Sequence, residues 1–276
     1  MATRTVWKRK IGRLWSLSRR FMSKGARPRT CILLYHSLGD DPHSLPVHVF
    51  KSQMRFLAEH AHVISLTELL RGDLSDSHIN CAITWDDGYE SVQQHALGIL
   101  KEYNFPATVY VTTALIGQRD PLMSDLDKGM FPGLPMLTWE QIRTLQETVF
   151  DIGAHLVHHL DLTALTREEA LTELTLSKAV VEQNTQKPCL DFAYPWGLAN
   201  RRCAEWVREA GYRSAATTHH GCVSPNSERM LLPRLTIDNT YDASDFQALI
   251  RGDWDYLAIL HEARERLGMA RPATIS

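Results

Sequence analysis

The residues of this sequence best suited to chemistry are two adjacent carboxylates, Asp86 and Asp87, which directly follow an apolar run. Buried carboxylates need partners, because an unpaired charge in apolar surroundings costs free energy. In extended backbone, neighbouring side chains point in opposite directions, so one carboxylate can bind a metal ion while the other faces a reacting water. The alternative is an Asp-Asp-Gly turn at the surface, and the pair by itself does not exclude it.

Two histidines four residues apart, His155 and His159, are the second candidate group. This spacing places both rings on the same side of a helical turn, within reach of one cation. A histidine pair at this spacing is also common on exposed surfaces. Together with Asp87, however, the pair completes a set of two histidines and one carboxylate, which leaves positions on a metal ion open for catalysis. We therefore expect a divalent metal ion, with Zn²⁺ as the preferred one.

The elements that would hold these residues alternate between short apolar strands and longer helical stretches. This alternation indicates a mostly parallel sheet, and the number of repeats favours a (β/α) barrel, in which active sites lie at the carboxyl ends of the strands. The predicted strands are Cys31–Tyr35, Ile79–Trp85, Ala107–Thr112, Val149–Ala154, Leu190–Tyr194, Tyr212–Thr217 and Leu231–Ile237. The predicted helices are Phe50–Glu59, Ser91–Tyr103, Thr138–Glu147, Thr166–Asn184 and Ala199–Ala210, with two more from about Ala243 and Trp254.

Three motifs, in order along the chain, resemble those of the polysaccharide deacetylases, the NodB-homology group of metal-dependent carbohydrate esterases. They are Thr84-Trp85-Asp86-Asp87-Gly88, the segment from Gly153 to Leu162 with both histidines, and Phe192-Ala193-Tyr194-Pro195-Trp196-Gly197. The third motif, together with Leu34-Tyr35-His36 near the start, is closest to the poly-N-acetylglucosamine deacetylase branch.

The resemblance implies a distorted (β/α)7 barrel over residues 31–276, preceded by a separate segment, residues 1–30. It also implies a role for each matching residue. Asp87, His155 and His159 are the expected metal ligands, and Asp86 is the expected general base. A backbone N–H near Trp196 would complete the oxyanion site, with Tyr194 and Pro195 holding that turn against the substrate.

Two departures from the family pattern concern the catalytic groups. The third motif usually carries an Arg two residues before its Pro, where this chain has Ala193. Arg234 could supply that charge from a late strand, or it could be an exposed Arg at a strand end. The histidine that acts as general acid also has no clear match. His36 is our choice by topology, and the other candidates are His219, His220 and His261.

The first 30 residues differ sharply in charge from the rest. They contain ten Lys or Arg and no acid, whereas the remainder contains 20 basic and 32 acidic residues, which excludes a uniformly basic nucleic-acid-binding body. Apolar residues, including Trp7 and Trp15, recur there at helical spacing opposite the basic ones. This pattern predicts a basic amphipathic helix that contacts an anionic membrane surface, with a helix packed on the domain or a disordered tail as alternatives.

Composition and motifs together favour a metal-dependent enzyme. No run of apolar residues is long enough to span a membrane, and five cysteines without a CxxC pair indicate reduced thiols. We expect a cytoplasmic protein, peripheral to the inner membrane, that removes N-acetyl groups from an amino sugar in a surface polysaccharide or its lipid-linked precursor. An amidase acting on a non-sugar amide, or an inactive carbohydrate-binding protein of the same fold, are the alternatives.

Overall fold

Seven parallel strands close into a ring in the part of the chain that this computed structural model describes, residues 28–119, 133–237 and 239–260. The strands are β1 (Thr30–Tyr35), β2 (Ala61–Val63), β3 (Ile79–Trp85), β4 (Ala107–Val111), β5 (Phe150–Ala154), β6 (Asp191–Ala193), β7 (Ser214–His220) and β8 (Leu232–Thr236). Around the ring the order is β1-β8-β7-β6-β5-β4-β3, and β3 pairs with β1 to close it. Strand β2 pairs only with the first residues of β3 and is not part of the ring. The predicted (β/α)7 barrel is therefore confirmed.

Helices connect most of the strands and cover the outside of the barrel. They are α1 (Val47–His60), α2 (Leu66–Arg71), α3 (Leu97–Tyr103, preceded by a π-helical turn, Val92–Ala96), α4 (Trp139–Gln146), α5 (Arg167–Thr185), α6 (Arg201–Glu209) and α7 (Ala243–Arg251). Residues 256–260 are also helical. Two short 3₁₀ turns, Thr113–Leu115 and Pro195–Gly197, follow β4 and β6. The sequence pattern missed β2 and α2, because elements of three and six residues are too short to show a periodicity.

The starts of two helices follow directly from their sequence. Thr138 accepts a hydrogen bond from the backbone N–H of Gln141, and the Gln141 side chain reaches back to the N–H of Thr138. Thr166 and Glu169 make the same reciprocal pair at the start of α5. Each pair satisfies two N–H groups that a helix start leaves without a partner, so these boundaries could be predicted.

Successive side chains of a barrel strand point alternately into the barrel and outward against the helices. Ile32, Ala82, Tyr110 and Ala193 belong to a small buried cluster that is separate from the larger core beneath the helices. Arg234 lies against this interior cluster, with its guanidinium 5.8 Å from the centroid of the Tyr110 ring. The interior is thus a packed layer of side chains that supports the carboxyl ends of the strands.

Some predictions from the sequence concern residues outside the described ranges. The predicted amphipathic helix falls in residues 1–27, and His261 also lies beyond the described part. Within residues 28–119, 133–237 and 239–260, no helix combines the length and the apolar character that crossing a bilayer requires. The five cysteines, all of which the structure describes, are free thiols.

Candidate metal centre and active site

Asp87, His155 and His159 converge on one point, although they follow two different strands. One ligand atom from each residue lies within 4.8 Å of the other two. Asp87 Oδ1 is 3.3 Å from His155 Nε2 and 3.2 Å from His159 Nε2. All three side chains are buried, so the group is enclosed by protein rather than spread over a surface.

The backbone between the two histidines is not the helical turn that their spacing predicted. Leu156 and His159 have positive φ angles, 63° and 55°, which place both in the left-handed region. His155 directly follows β5, and its Nδ1 lies 2.8 Å from the carbonyl oxygen of Ala193. If Nδ1 carries the proton and donates to that carbonyl, Nε2 is free to bind a cation. The prediction of a helical turn was wrong, but the tight left-handed turn brings the same two rings together.

The side chains of Asp86 and Asp87 point in different directions, but not because the backbone is extended. Asp87 has a φ of 69°, so the chain turns sharply immediately after Asp86. Asp87 faces the two histidines, whereas Asp86 faces Arg234. Both carboxylates are almost fully buried, at 3% and 4% exposure, which excludes the surface turn considered above.

Arg234 is completely buried on β8 and holds Asp86 with two hydrogen bonds. Its Nη1 donates to Asp86 Oδ1 at 2.7 Å and its Nη2 donates to Oδ2 at 2.6 Å. The rest of the guanidinium is also satisfied, because Nε donates to the carbonyl of Thr217 and Nη1 also donates to the hydroxyl of Thr84. Arg234 is therefore not an exposed residue at a strand end. It supplies the positive charge beside Asp86 that Ala193 cannot supply.

Two opposing effects determine the protonation state of Asp87. Burial alone would raise the pKa of Asp87, but the neighbouring rings of His155 and His159 outweigh burial and hold that pKa well below its usual range. For His155, burial lowers the pKa, and the contact with Asp87 together with the charges of both aspartates raises it overall. Asp87 therefore remains an ionised carboxylate, the form that binds a cation.

The side chains fit a divalent metal ion. Two imidazole nitrogens and one carboxylate oxygen point at a common centre, which is the donor set that zinc and related ions accept. Among the described residues, the buried Asp87 Oδ2 and both ring nitrogens of His159 make no hydrogen bond of good geometry, although His159 Nε2 lies 3.2 Å from Asp87 Oδ1. Leaving a buried polar atom without a partner costs about 1–3 kcal/mol, so a cation that binds Asp87 and Nε2 of His159 is favoured.

Among the candidate general acids, His36 interacts electrostatically with Asp87 and Asp86. It directly follows β1 and is half-buried. Burial lowers the pKa of His36, and the charges of Arg234 and His155 lower it further, against the opposite effect of Asp87 and Asp86. His219 and His220 are half-buried at the carboxyl end of β7.

The turn after β6 places the side chains of Tyr194 and Trp196 in different surroundings. The Tyr194 side chain is buried and its hydroxyl donates to the carbonyl of Met230, so this ring belongs to the core. Trp196 has a φ of 52°, and its ring meets His159 edge-on with the centroids 4.5 Å apart. Pro195 opens the short 3₁₀ turn, and Gly197 closes it against Thr218. The Trp196 ring thus forms one wall next to a candidate ligand.

Sequence reasoning missed the contacts that fix the candidate ligands and base. The carbonyls of Ala193 and Thr217 hold His155 and Arg234, and a backbone carbonyl leaves no signal in the residue type. Thr84 lies within the first motif, and its hydroxyl donates to the carbonyl of Leu33 while it accepts from Arg234. Because Thr84 lies two residues before Asp86, the alternation along the strand predicts that its hydroxyl faces the same side as Asp86.

Comparison with known proteins decides the family. The sequence model of the polysaccharide deacetylase family matches residues 75–215, a range that contains both aspartates and both histidines. The chain belongs to the polysaccharide deacetylase family. The resemblance seen in the three motifs is thereby confirmed, and with it the class of enzyme.

Similar proteins agree in sequence and in fold. A poly-beta-1,6-N-acetyl-D-glucosamine N-deacetylase of Staphylococcus aureus is 27% identical over 220 residues, which cover 75% of this chain and 70% of the relative. Streptococcus pyogenes deacetylase PplD, solved in complex with acetate, is 20% identical with a TM-score of 0.69, covering 82% of this chain and 99% of PplD. IcaB from Ammonifex degensii is 18% identical with a TM-score of 0.68, covering 83% and 98% of the two chains. The two solved structures share the barrel fold of this deacetylase.

Proposed function

We propose that this deacetylase removes the acetyl group from an N-acetylated amino sugar in a bacterial surface polysaccharide or its lipid-linked precursor, using a divalent metal ion. The observation that carries the proposal is the division of the two aspartates. One carboxylate oxygen of Asp87 contacts both His155 and His159. Asp86 is bound by Arg234 instead and contacts neither histidine. A site that only bound a metal would not need a second buried carboxylate held so firmly beside the first.

The metal ion that this set would hold is Zn²⁺ in our proposal, with Asp87, His155 and His159 as its protein ligands. Such an ion polarises the substrate carbonyl and lowers the pKa of a water that attacks it. Imidazole and carboxylate donors with open positions suit zinc and also other first-row ions, so the identity of the metal needs its own measurement.

Asp86 is proposed as the general base. It accepts a proton from the attacking water as the new carbon–oxygen bond forms at the acetamide carbon. The two hydrogen bonds from Arg234 occupy one lone pair on each oxygen, and a second lone pair on each remains for that proton. Because both oxygens are held, the carboxylate cannot rotate towards the metal ligands.

The remaining steps need a donor for the developing oxyanion and a proton for the leaving amine. We assign the first to a backbone N–H at Trp196, whose left-handed φ turns the chain there away from its strand. We assign the second to His36, which must take up a proton before it can donate one, because its pKa is lowered. The carbon–nitrogen bond then breaks to give acetate and a free amine.

The substrate class rests on the relatives. The Staphylococcus aureus relative is named as a deacetylase of poly-beta-1,6-N-acetyl-D-glucosamine. This chain is 27% identical to that relative over 220 residues, so we propose an N-acetylhexosamine polymer or its precursor as substrate. The alternative of an inactive binding protein loses its main support, because the Arg missing at residue 193 has a replacement in Arg234.

The test is mass spectrometry of a panel of N-acetylated amino-sugar oligomers with different linkages, incubated with the metal-loaded protein. We expect a loss of acetyl groups that stops when a chelator is added and is strongly reduced in Asp86→Asn. If no oligomer loses acetyl but a non-sugar amide in the same panel is hydrolysed, the protein is an amidase and the substrate proposal is wrong. If wild-type and Asp86→Asn are equally inactive on every amide, the binding protein is the better interpretation.

We further propose that residues 1–30, apart from the last residues that lead into β1 at Thr30, form a unit distinct from the barrel and bring it to an anionic membrane surface at the cytoplasmic face. Ten basic residues without an acid support this proposal. Arg29 pairs with Asp255, and each of the other nine contributes about 1 kcal/mol when it lies near an anionic leaflet. The acidic remainder would be repelled by the same surface. A segment of opposite charge is therefore what a peripheral attachment would require.

A further inference from the structure

The segment between the two histidine ligands is strained and must be held in place by its surroundings. Leu156 and His159 both have left-handed φ angles, and neither is a glycine. Residues other than glycine are strained in this conformation and persist in it only where neighbouring contacts impose it. The Leu156 side chain is completely buried, so the residue cannot relieve its backbone strain by moving out into solvent.

One side of this segment is bound by backbone. The N–H of Thr113 donates to the carbonyl of Leu156 at 3.2 Å, and the N–H of Ala114 donates to the carbonyl of Val157 at 2.9 Å. Both donors lie in the 3₁₀ turn after β4. These bonds satisfy carbonyl groups and leave the N–H groups of the segment to find other partners.

The other side is bound by a single carboxylate, that of Glu173 on α5. Its Oε2 accepts from the N–H of Val157 at 2.9 Å and from the N–H of His158 at 3.1 Å. Its Oε1 lies 2.7 Å from Nδ1 of His158. The Glu173 side chain is 11% exposed, whereas that of His158 is 57% exposed, so the acid is buried against the segment and the histidine covers it.

We infer that Glu173 is a positioning residue for the metal centre: it holds the backbone of Val157 and His158 so that His155 and His159 face one point. This inference rests on the proposed metal site. Glu173 does not touch either ligand, and acts through the N–H groups between them. Without its carboxylate the strained turn relaxes, and the two rings no longer share a centre before the metal arrives. Groups that orient metal ligands in this way typically alter affinity by about 10–100-fold.

Three variants separate this role from general support of the fold. Glu173→Ala removes all three contacts. Glu173→Gln keeps an oxygen for the two N–H groups and an amide for the His158 ring, so it should retain the turn without the charge. Glu182→Ala is the matched control, because Glu182 also lies on α5 and also accepts from a backbone N–H, that of Cys189, at the other end of the helix.

Two readouts are needed, one of which is independent of the metal. The first is amide hydrogen exchange at Val157 and His158 in metal-free protein. The second is Zn²⁺ affinity, measured by competition with a chromophoric chelator. We expect exchange at both amides to accelerate about tenfold or more in Glu173→Ala and Zn²⁺ affinity to fall about 10–100-fold. Glu173→Gln should stay within about threefold of wild type in both, and Glu182→Ala should change neither.

Wild-type exchange and affinity in Glu173→Ala would overturn the inference, as would a Glu173→Gln variant as impaired as Glu173→Ala. A failure of the metal proposal looks different, because wild-type protein would then bind no Zn²⁺ in the same titration. In that case the exchange measurement still decides whether Glu173 holds the turn.

Discussion

Arg234 and Asp86 are 148 positions apart in the chain, and the guanidinium donates one hydrogen bond to each carboxylate oxygen in the interior of the barrel. The guanidinium fork matches both carboxylate oxygens, so the pair fixes the orientation of the acid as well as its charge. Strand β8 carries the Arg, the Asp directly follows β3, and closure of the ring through β1 brings them together.

Substitution of Arg234 should impair catalysis more than metal binding. Arg234→Lys keeps the charge but cannot bind both oxygens, because an ammonium is a single point donor. We expect turnover to fall about 10–100-fold with Zn²⁺ affinity nearly unchanged. Steady-state kinetics and metal competition on the same preparation check this. If Zn²⁺ affinity falls as much as turnover does, Arg234 positions the metal ligands rather than the general base.

The two aspartates should respond differently to the same change. Asp86→Asn should lower turnover by about 10²–10⁴-fold, the usual contribution of a general base, while Zn²⁺ affinity stays close to wild type. Asp87→Asn should weaken Zn²⁺ binding by more than about tenfold, because it removes a charged ligand. Metal content by elemental analysis and single-turnover acetyl release give the two values. Equal metal loss in both variants contradicts the division of roles.

Metal binding should stabilise the folded protein. Zn²⁺ at about 1,000 times its dissociation constant adds about 4 kcal/mol to the free energy of unfolding, if it binds only the folded state. Thermal unfolding with and without chelator should therefore show a clear rise in Tm for wild type and little rise for Asp87→Asn. The same shift in both proteins would mean that the ion binds elsewhere.

The turn at Trp196 should be intolerant of a single added methyl. A Cβ at Gly197 would lie 2.2 Å from the Thr218 hydroxyl oxygen and 2.3 Å from the Thr218 backbone nitrogen. Gly72 also has a positive φ, but a Cβ there would meet nothing within 4 Å, which makes Gly72→Ala the control. Urea unfolding should show a loss of about 1 kcal/mol for Gly72→Ala and a further 1–3 kcal/mol, roughly, for Gly197→Ala. Equal losses would show that Thr218 moves aside freely.

The basic segment, residues 1–30, should control attachment of the protein to anionic vesicles. Full-length protein should float with vesicles rich in anionic lipid at low salt, and a variant lacking residues 1–28 should not. Screening by salt should release the protein, because the attraction acts between exposed charges over about a Debye length. Vesicles of neutral lipid are the control. If both proteins remain in the soluble fraction on anionic vesicles, the segment has another role.

The sequence predicted the ring of strands and the motif residues because both depend on local pattern. Apolar runs such as Ile79–Trp85 appear at the predicted bounds, and the capping pairs at Thr138 and Thr166 mark two helix starts correctly. The geometry of the site could be predicted only in part. The four-residue spacing of His155 and His159 indicated a helical turn, whereas Leu156 adopts a left-handed conformation that nothing in its residue type favours.

Contacts between distant parts of the chain explain the rest. The burial of Arg234 depends on Asp86 and on the carbonyl of Thr217, and no spacing rule relates these positions. In the sequence, Glu173 is one acid among several on a long helix, and only the fold brings it to the N–H groups of Val157 and His158. Residue type indicated which chemistry is present, and tertiary structure determined which partner each group has.

The chain enters the barrel at Arg29, whose guanidinium is bound by Asp255 directly before β1 begins. All strands of the ring are parallel, so this entry lies at one end of the barrel and Asp87 at the other. A strand of seven residues spans about 20 Å. If the basic segment holds this end towards a membrane, the deacetylating end opens towards bulk water. Of the two proposed substrates, this arrangement would then favour the polymer, which can extend away from the lipid, over the lipid-linked precursor, whose saccharide lies at the headgroups.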